Sequence, residues 1–343
     1  MKRVLGIALL LGLLGCDDTN SPQPTELIST NALLDHLSFL AGDSLYGRGA
    51  GSPQELTAAE YIRDEFVDVG LNPGVPGYLQ TFTFLSGPLD VSSHASATQT
   101  LDDRAPAANV LADTLTSQNV LAVLPGNGAL AGQWIILGAH YDHLGWDQIS
   151  EDSIVIYNGA DDNASGTALM LEIARYLSHY LTLGAGGSVD HRSIMFQAYG
   201  AEELGLRGSR HFTADPTLPL DSIVAMVNLD MVGRLRDDRL IIGGAHTSDL
   251  WDLLLVELND DRLDLEYNDA GLARSDQYPF YQLDIPVLFF HTGLHDQYHE
   301  PGDDAWLINF DGMIEVGNLA LGVLFNTAIG EEPPEFEPGT QPF

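Results

Sequence analysis

A succession of short apolar runs, set apart by stretches with helical spacing, runs through most of this chain and limits the folds open to it. NVLAVLP, QWIILGAH, SIMFQAY, SIVAMVNLDM, RLIIGG and PVLFFHT each have the length of one strand. Residues 53–69 place Leu56, Ala59, Ile62, Phe66 and Val69 three or four positions apart, the repeat of an amphipathic helix. Residues 32–41, 166–181 and 249–258 read as helices too. Buried strands alternating with helices imply a mostly parallel sheet covered on both faces, a three-layer α/β/α architecture. In such sheets ligands gather at the carboxyl ends of the strands. No second linker or internal repeat interrupts the pattern, so residues 31–330 are expected to form one domain. Residues 92–117 are weakly patterned and are expected to be loops with short strands.

The opening MKRVLGIALLLGLLGC joins two basic residues to a short apolar run and a small residue before Cys16. That run is too short to span a bilayer comfortably and has the form of an export signal. Residues 13–16, LLGC, have the form of a bacterial lipobox, whose cysteine becomes the lipidated N-terminus; a plain signal peptide with a chance cysteine is the alternative. On the first reading residues 1–16 are a lipoprotein signal peptide and residues 17–30 a polar, flexible tether. The protein is then expected in the bacterial cell envelope, held at a membrane by lipid on Cys16 and facing the periplasm or the outer surface. Residues 331–343, EEPPEFEPGTQPF, are expected to be a loose acidic, proline-rich tail. Cys16 is the only cysteine, which excludes an internal disulfide, a cysteine nucleophile and a thiolate metal site elsewhere.

The formal net charge is −35 and the only lysine is Lys2; loss of Lys2 and Arg3 with the leader takes the charge to −37. This charge disfavours nucleic-acid binding, and no nucleic-acid partner is expected, because phosphate contacts need clustered Lys and Arg. An acidic surface with almost no lysine fits either exposure to high salt or a biased genome composition.

The apolar runs end alike. QWIILGA ends in His140, then Tyr141 and Asp142; NGADDNASG sets Asp161, Asp162 and Asn163 before the helix beginning near Ser165. SIMFQAYGA ends in Glu202 and Glu203, SIVAMVNL in Asp230, and PVLFFHTG leads to His295, Asp296, Tyr298 and His299. Loops are polar, so one such end means little. Every one of these ends offers His, Asp or Glu, and none a cysteine, which suits zinc, manganese or cobalt. So carboxylate-rich a set also suits two metals sharing a bridge. Neighbouring side chains in extended chain point to opposite faces, so Glu202 and Glu203 read as surface residues or as two acids with two jobs. His291, His295 and His299 lie four apart, but Gly293, Pro301 and the preceding strand argue against a helical stripe. Ser165 and Ser209 have no histidine partner at nucleophile spacing, which speaks against a serine mechanism.

GAHYDHLG, GADDNASG, EELGLRGS, NLDMVGR and YHEPGDD, in this order, resemble the M28 family of zinc metallopeptidases over roughly residues 33–325. The resemblance implies a central mixed, mostly parallel sheet and a site for two zinc ions, with cobalt or manganese fitting the same donors. It implies that His140 and Asp230 hold one metal, Glu203 and His299 the other, and Asp162 both. Asp142 would orient His140, and the peptide bond after Asp162 would be cis. Glu202 would be the general base that deprotonates a metal-activated water and passes the proton to the leaving amine. Tyr298 has two readings, polarising the scissile carbonyl or simple packing. Asp161 is expected to be solvated or to stand behind the metal ligands, and His143 either lines the pocket or sits at a surface or helix start. One departure stands out: Gln277 comes after Ser275 and Asp276 where relatives often carry histidine.

The activity so implied is removal of N-terminal residues from peptides by a metallo-aminopeptidase. A carboxypeptidase, or a glutaminyl-cyclase-like acyltransferase on one zinc, shares the fold. A non-catalytic binding module is a different class, and such proteins lose metal ligands, whereas all five residue types are present here.

Overall fold

The structure, a computed structural model, describes residues 27–85, 113–182 and 189–338. The leader, Cys16 and residues 92–112 of the weakly patterned stretch lie outside them.

The strands are β1 (Asn72–Pro73), β2 (Leu79–Leu85), β3 (Thr114–Leu124), β4 (Trp134–His140), β5 (Gly145–Ser150), β6 (Ser153–Tyr157), β7 (Ser193–Tyr199), β8 (Ile223–Leu229), β9 (Arg239–Gly243), β10 (Asp264–Tyr267) and β11 (Val287–His291). The helices are α1 (Thr30–Leu40), α2 (Pro53–Asp68), α3 (Gly166–Thr182), α4 (Arg207–Ala214), α5 (Asp249–Asn259), α6 (Tyr278–Tyr281) and α7 (Phe310–Ile329). One nine-stranded sheet runs in the order β1-β3-β7-β4-β8-β11-β9-β10, with β2 also on β3, and β5 and β6 form a separate hairpin. The sheet is mixed, and its centre is parallel: β7, β4, β8 and β11 all run one way. β3 runs antiparallel to β7 on one flank and β9 antiparallel to β11 on the other.

Alternation along each strand builds the three layers. On β4, Ile135, Leu137 and Ala139 enter a core completed by α1, α2, α3, α5 and α7. Ile136, pointing the other way, meets Phe212 of α4 and Phe280 of α6 on the opposite face. Ser52 caps α2 by accepting the Glu55 N–H at 3.0 Å, with Pro53 in the first turn. Along α2 Ala59, Ile62 and Phe66 are buried as their spacing predicts, but Leu56 faces solvent and Ala58 takes its place. Helix α7 is apolar and long enough to cross a membrane by length and composition, yet it is 72% buried within the fold. It packs as a core helix, with Asn309 capping Gly312.

Both ends of the domain differ from expectation. The end of the expected tether belongs to the fold: Ile28 is buried and the Ser29 N–H donates to Glu172 Oε2 at 2.8 Å. The expected loose tail lies along the domain up to residue 338. There the Glu337 N–H donates to the Thr247 carbonyl at 2.8 Å and Phe336 meets Tyr281 at 5.7 Å between ring centres. Residues 114–117, from the stretch expected to hold loops with short strands, open the long strand β3.

Candidate metal centre

The carboxyl ends of β4, β7, β8 and β11 converge with the turn that leads into α3. His140 is the last residue of β4, Asp230 comes directly after β8, Glu202 and Glu203 lie just beyond β7, and His299 lies in the loop after β11. Asp162 stands between them in the turn of Ala160–Ser165, and the Asp162–Asn163 peptide is cis.

The geometry has two halves that share Asp162. Its Oδ1 lies 3.2 Å from His140 Nε2, which is also 3.4 Å from Asp230 Oδ1. Its Oδ2 lies 3.1 Å from His299 Nε2, which is 3.2 Å from Glu203 Oε2. Glu203 turns its other oxygen, Oε1, to His143 Nδ1 at 2.7 Å. Glu202 Oε2 stands back, 4.0 Å from His140 Nε2. His143 is buried and lines the pocket, so it is not a surface residue. His140, Asp162 and Asp230 each offer an atom within 4.8 Å of the others, as do His143, Asp162 and Glu203.

These groups fit metal ions better than they fit one another. Asp230 Oδ1 is buried without a hydrogen-bond partner. Burial lowers the His140 pKa, but the charges of Asp230 and Glu202 raise it well above its ordinary value. His299 is likewise carried to about 10 against burial, by Asp162 and Glu203. Protons on these two histidines therefore sit where cations would, and metal uptake displaces such protons. Burial and Asp162 push the Glu203 carboxyl up, yet His143 and His299 pull it down to about 2. Glu202 has no such help. Burial, with Asp276, Glu203 and Asp230 nearby, holds it well above the carboxylate range despite His140. Adjacent in sequence, the two glutamates occupy opposite electrostatic environments.

A ring of fixed groups holds this cluster. Asp142 takes the Glu202 N–H on Oδ1 at 2.9 Å and the Glu203 N–H on Oδ2 at 3.4 Å. Its Oδ1 also lies 3.7 Å from His140 Nδ1, an ion-pair contact longer than a hydrogen bond, and that nitrogen is 3.3 Å from the Asp142 carbonyl oxygen. Asp303 Oδ2 accepts the N–H of Asp161 at 2.9 Å and of Asp162 at 3.1 Å. Asp161 is fully buried, not solvated, and accepts the Gly233 N–H at 2.7 Å while facing His295 Nε2 at 3.3 Å. Ser165 donates to the Asp161 carbonyl at 2.7 Å, and Ser209 donates to the Leu206 carbonyl at 3.3 Å. Tyr298 stacks on His299 at 3.8 Å, and burial with the surrounding acids pushes its hydroxyl far up, so it stays protonated. Three site-loop residues, Ala201, Met231 and His299, have φ between 54° and 58°, a left-handed backbone unusual for non-glycine residues.

Beneath the cluster lies Arg48, which sequence reasoning missed. Its Nε donates to the Tyr141 carbonyl at 2.7 Å, Nη1 to those of Asn158 at 2.7 Å and Leu40, and Nη2 to Gly159 at 3.0 Å. It thus ties the β4 end to the turn that presents Asp162. The one available signal was an arginine inside the glycine-rich GRGAG of a cation-poor chain. Gln277, standing where relatives often have histidine, accepts from Asn228 Nδ2 at 2.9 Å and donates to the Leu272 carbonyl at 2.8 Å. Asp276 beside it is buried, and burial raises its carboxyl to about 7.

A cleft of about 290 Å³ opens beside His143 and Glu203. A larger one, about 440 Å³ and lined by Asn72, Val123, Trp134 and Leu218 among others, contains no titratable group among the described residues.

The family description "Peptidase family M28" matches residues 119–324. Aminopeptidase YwaD of Bacillus subtilis is 27% identical over 236 residues, covering 64% of this chain and 47% of that protein. The chain spans about half the length of the first curated relatives it matches. Among solved structures, an aminopeptidase from Aneurinibacillus sp. strain AM-1 aligns at a TM-score of 0.64 and 21% identity, covering 92% of this chain and 97% of that one. A zinc aminopeptidase from Bacillus subtilis aligns at 0.65 and 18%, covering 93% and 100%. These structural likenesses establish the three-layer α/β/α fold.

Proposed function

Since the chain belongs to peptidase family M28, we propose that it is a zinc-dependent aminopeptidase. The observation that carries this reading is the division of Asp162, one oxygen toward His140 and the other toward His299. That division supports two zinc ions, one held by His140, Asp162 and Asp230, the other by Asp162, Glu203 and His299. His143, 2.7 Å from Glu203 Oε1, orients that carboxylate from behind. The single-zinc cyclase alternative leaves half of this donor set without a task.

Zinc bound there supplies Lewis acidity toward the scissile carbonyl and makes a water acidic enough to ionise near neutral pH. Glu202, held by its backbone on Asp142 and free of a metal partner, takes the water's proton and returns it to the leaving amine. Tyr298, protonated beside His299, can donate to the oxyanion that forms at the carbonyl. The peptide's ammonium group pairs with the acidic wall of Asp230 and Glu202. Several acids and no lysine in the mature chain favour a cationic substrate end.

The test gives zinc-loaded protein a leucine-initiated peptide, free and N-acetylated, and tracks products by mass spectrometry. Loss of one residue from the free form alone is expected; equal cleavage of both forms contradicts recognition of the amine. We further propose that the chain is anchored by lipid on Cys16 in a bacterial envelope. Partition of the full chain into detergent, abolished in Cys16→Ser, tests that; partition unchanged in the variant contradicts it.

A further inference from the structure

The cleft beside Glu203 and His143 is built from the first turn after α1 and from the base of the β5–β6 hairpin, neither of which supplies a metal ligand. Its walls are Tyr46, Leu144, Trp146 and Leu204. Three of these are large apolar side chains left open to solvent, Trp146 at 47%, Leu204 at 41% and Tyr46 at 40% exposure. Exposed aromatic surface grouped at the mouth of a site marks binding more often than a scattered exposed leucine does. At about 290 Å³ the cleft falls just below the roughly 300–1,000 Å³ typical of whole-ligand sites, so it suits one side chain.

The cleft is fixed in shape. Gly49 bridges to His143 in the manner of a strand pair. A Cβ on Gly47, whose φ is +69°, would come within 2.1 Å of the Gly145 carbonyl oxygen. The turn and the hairpin base therefore touch backbone to backbone, and the Tyr157 hydroxyl on Asp147 Oδ2 at 3.0 Å ties the hairpin to itself. Among the described residues, Glu203 and His143 are the only titratable groups apart from Tyr46 on the lining, and they face each other. An acidic side chain entering would meet Glu203; a neutral apolar one would cover Trp146.

We infer that this cleft receives the side chain of the second residue of the peptide, and that it selects large apolar or aromatic groups there. The inference rests on the proposed function. An N-terminal ammonium at Asp230 places the first residue on the His140 half of the centre. The scissile carbonyl then lies over Asp162, and the chain continues toward Glu203 and the cleft. Trp146 is the specificity-determining residue, acting by contact with the substrate.

The test compares zinc-loaded wild type and Trp146→Ala on two peptide series, Leu-X-Gly and X-Gly-Gly, with X glycine, leucine, phenylalanine or aspartate. Wild type should prefer Leu-Phe-Gly to Leu-Gly-Gly in kcat/KM by about tenfold or more. The variant should lose most of that preference while keeping its X-Gly-Gly profile and its melting temperature. An intact second-residue preference in the variant, or a change confined to the X-Gly-Gly series, overturns the inference. If wild type cleaves no peptide, the proposed function fails separately. The cleft is then judged by N-acetyl-L-phenylalaninamide, which should change tryptophan emission saturably in wild type but not in Trp146→Phe; identical titrations overturn the inference.

Discussion

The backbone N–H of Glu202 donates to Asp142 Oδ1 at 2.9 Å, across sixty positions of sequence. The same carboxylate takes the Glu203 N–H on its other oxygen, so one buried acid sets the positions of both glutamates at once. Replacing it by asparagine keeps the shape but offers one acceptor in place of two. Asp142→Asn should lower kcat about 10–100-fold, the range seen when groups behind metal ligands are altered, with little change in fold. Steady-state kinetics with circular dichroism checks this, and unchanged kcat contradicts it.

Arg48 satisfies the carbonyls of Leu40, Tyr141, Asn158 and Gly159 with one side chain. Arg48→Met leaves these oxygens without their donor in a buried setting, at about 1–3 kcal/mol for each that finds no water. The variant should unfold at distinctly lower urea and hold zinc less tightly. Arg48→Lys restores charge but not the planar fork, and should recover only part of either property. Urea denaturation paired with zinc titration reads both; full recovery by lysine would show that charge alone matters.

Glu55, in the first turn of α2, is buried and accepts from Ser117 Oγ at 2.5 Å and from the Gly51 N–H at 2.6 Å. Burial, reinforced by the Asp142 charge, raises its carboxyl from 4.5 to about 8 despite those bonds. The folded chain thus retains a proton that the unfolded chain has released once the pH exceeds 4.5. The resulting stabilisation is complete below that value and drains away as the pH climbs to about 8, where the buried charge becomes a standing cost. Wild type should therefore lose stability relative to Glu55→Gln between about pH 5 and about pH 8. Parallel curves for the two proteins across that window would contradict it.

Much of this was legible before folding. The apolar runs became β3, β4, β7, β8, β9 and β11 within a residue or two, apart from the longer start of β3, because strands buried on both faces carry an unbroken apolar signature. The strand ends brought His140, Asp162, Glu203, Asp230 and His299 together for the same topological reason. Strand β2, LQTFTFL, had the alternation of a half-buried strand and went unread. Arg48 and Asp303 were not legible as site residues, and lining the pocket was only one of two readings of His143. Their roles depend on which carbonyls and N–H groups a distant loop presents, and no local pattern encodes that. Asp142 stands beside His140 and also holds the N–H groups of both glutamates, a second task that the turn of chain beyond β7 sets and no local pattern encodes.

Glu202 and Glu203 are adjacent yet do different work, and two variants measured side by side separate their roles. Glu202→Gln should bind zinc as wild type does, yet lose about 10²–10⁴-fold in kcat, the worth of a positioned general base. Glu203→Ala should lose zinc, in proportion to the loss of one half of the Asp162-centred donor set. Zinc content by atomic absorption and turnover of a leucine peptide, on the same preparations, give the answer. Equal zinc content with equal residual activity in the two variants would show that the glutamates do not divide these roles.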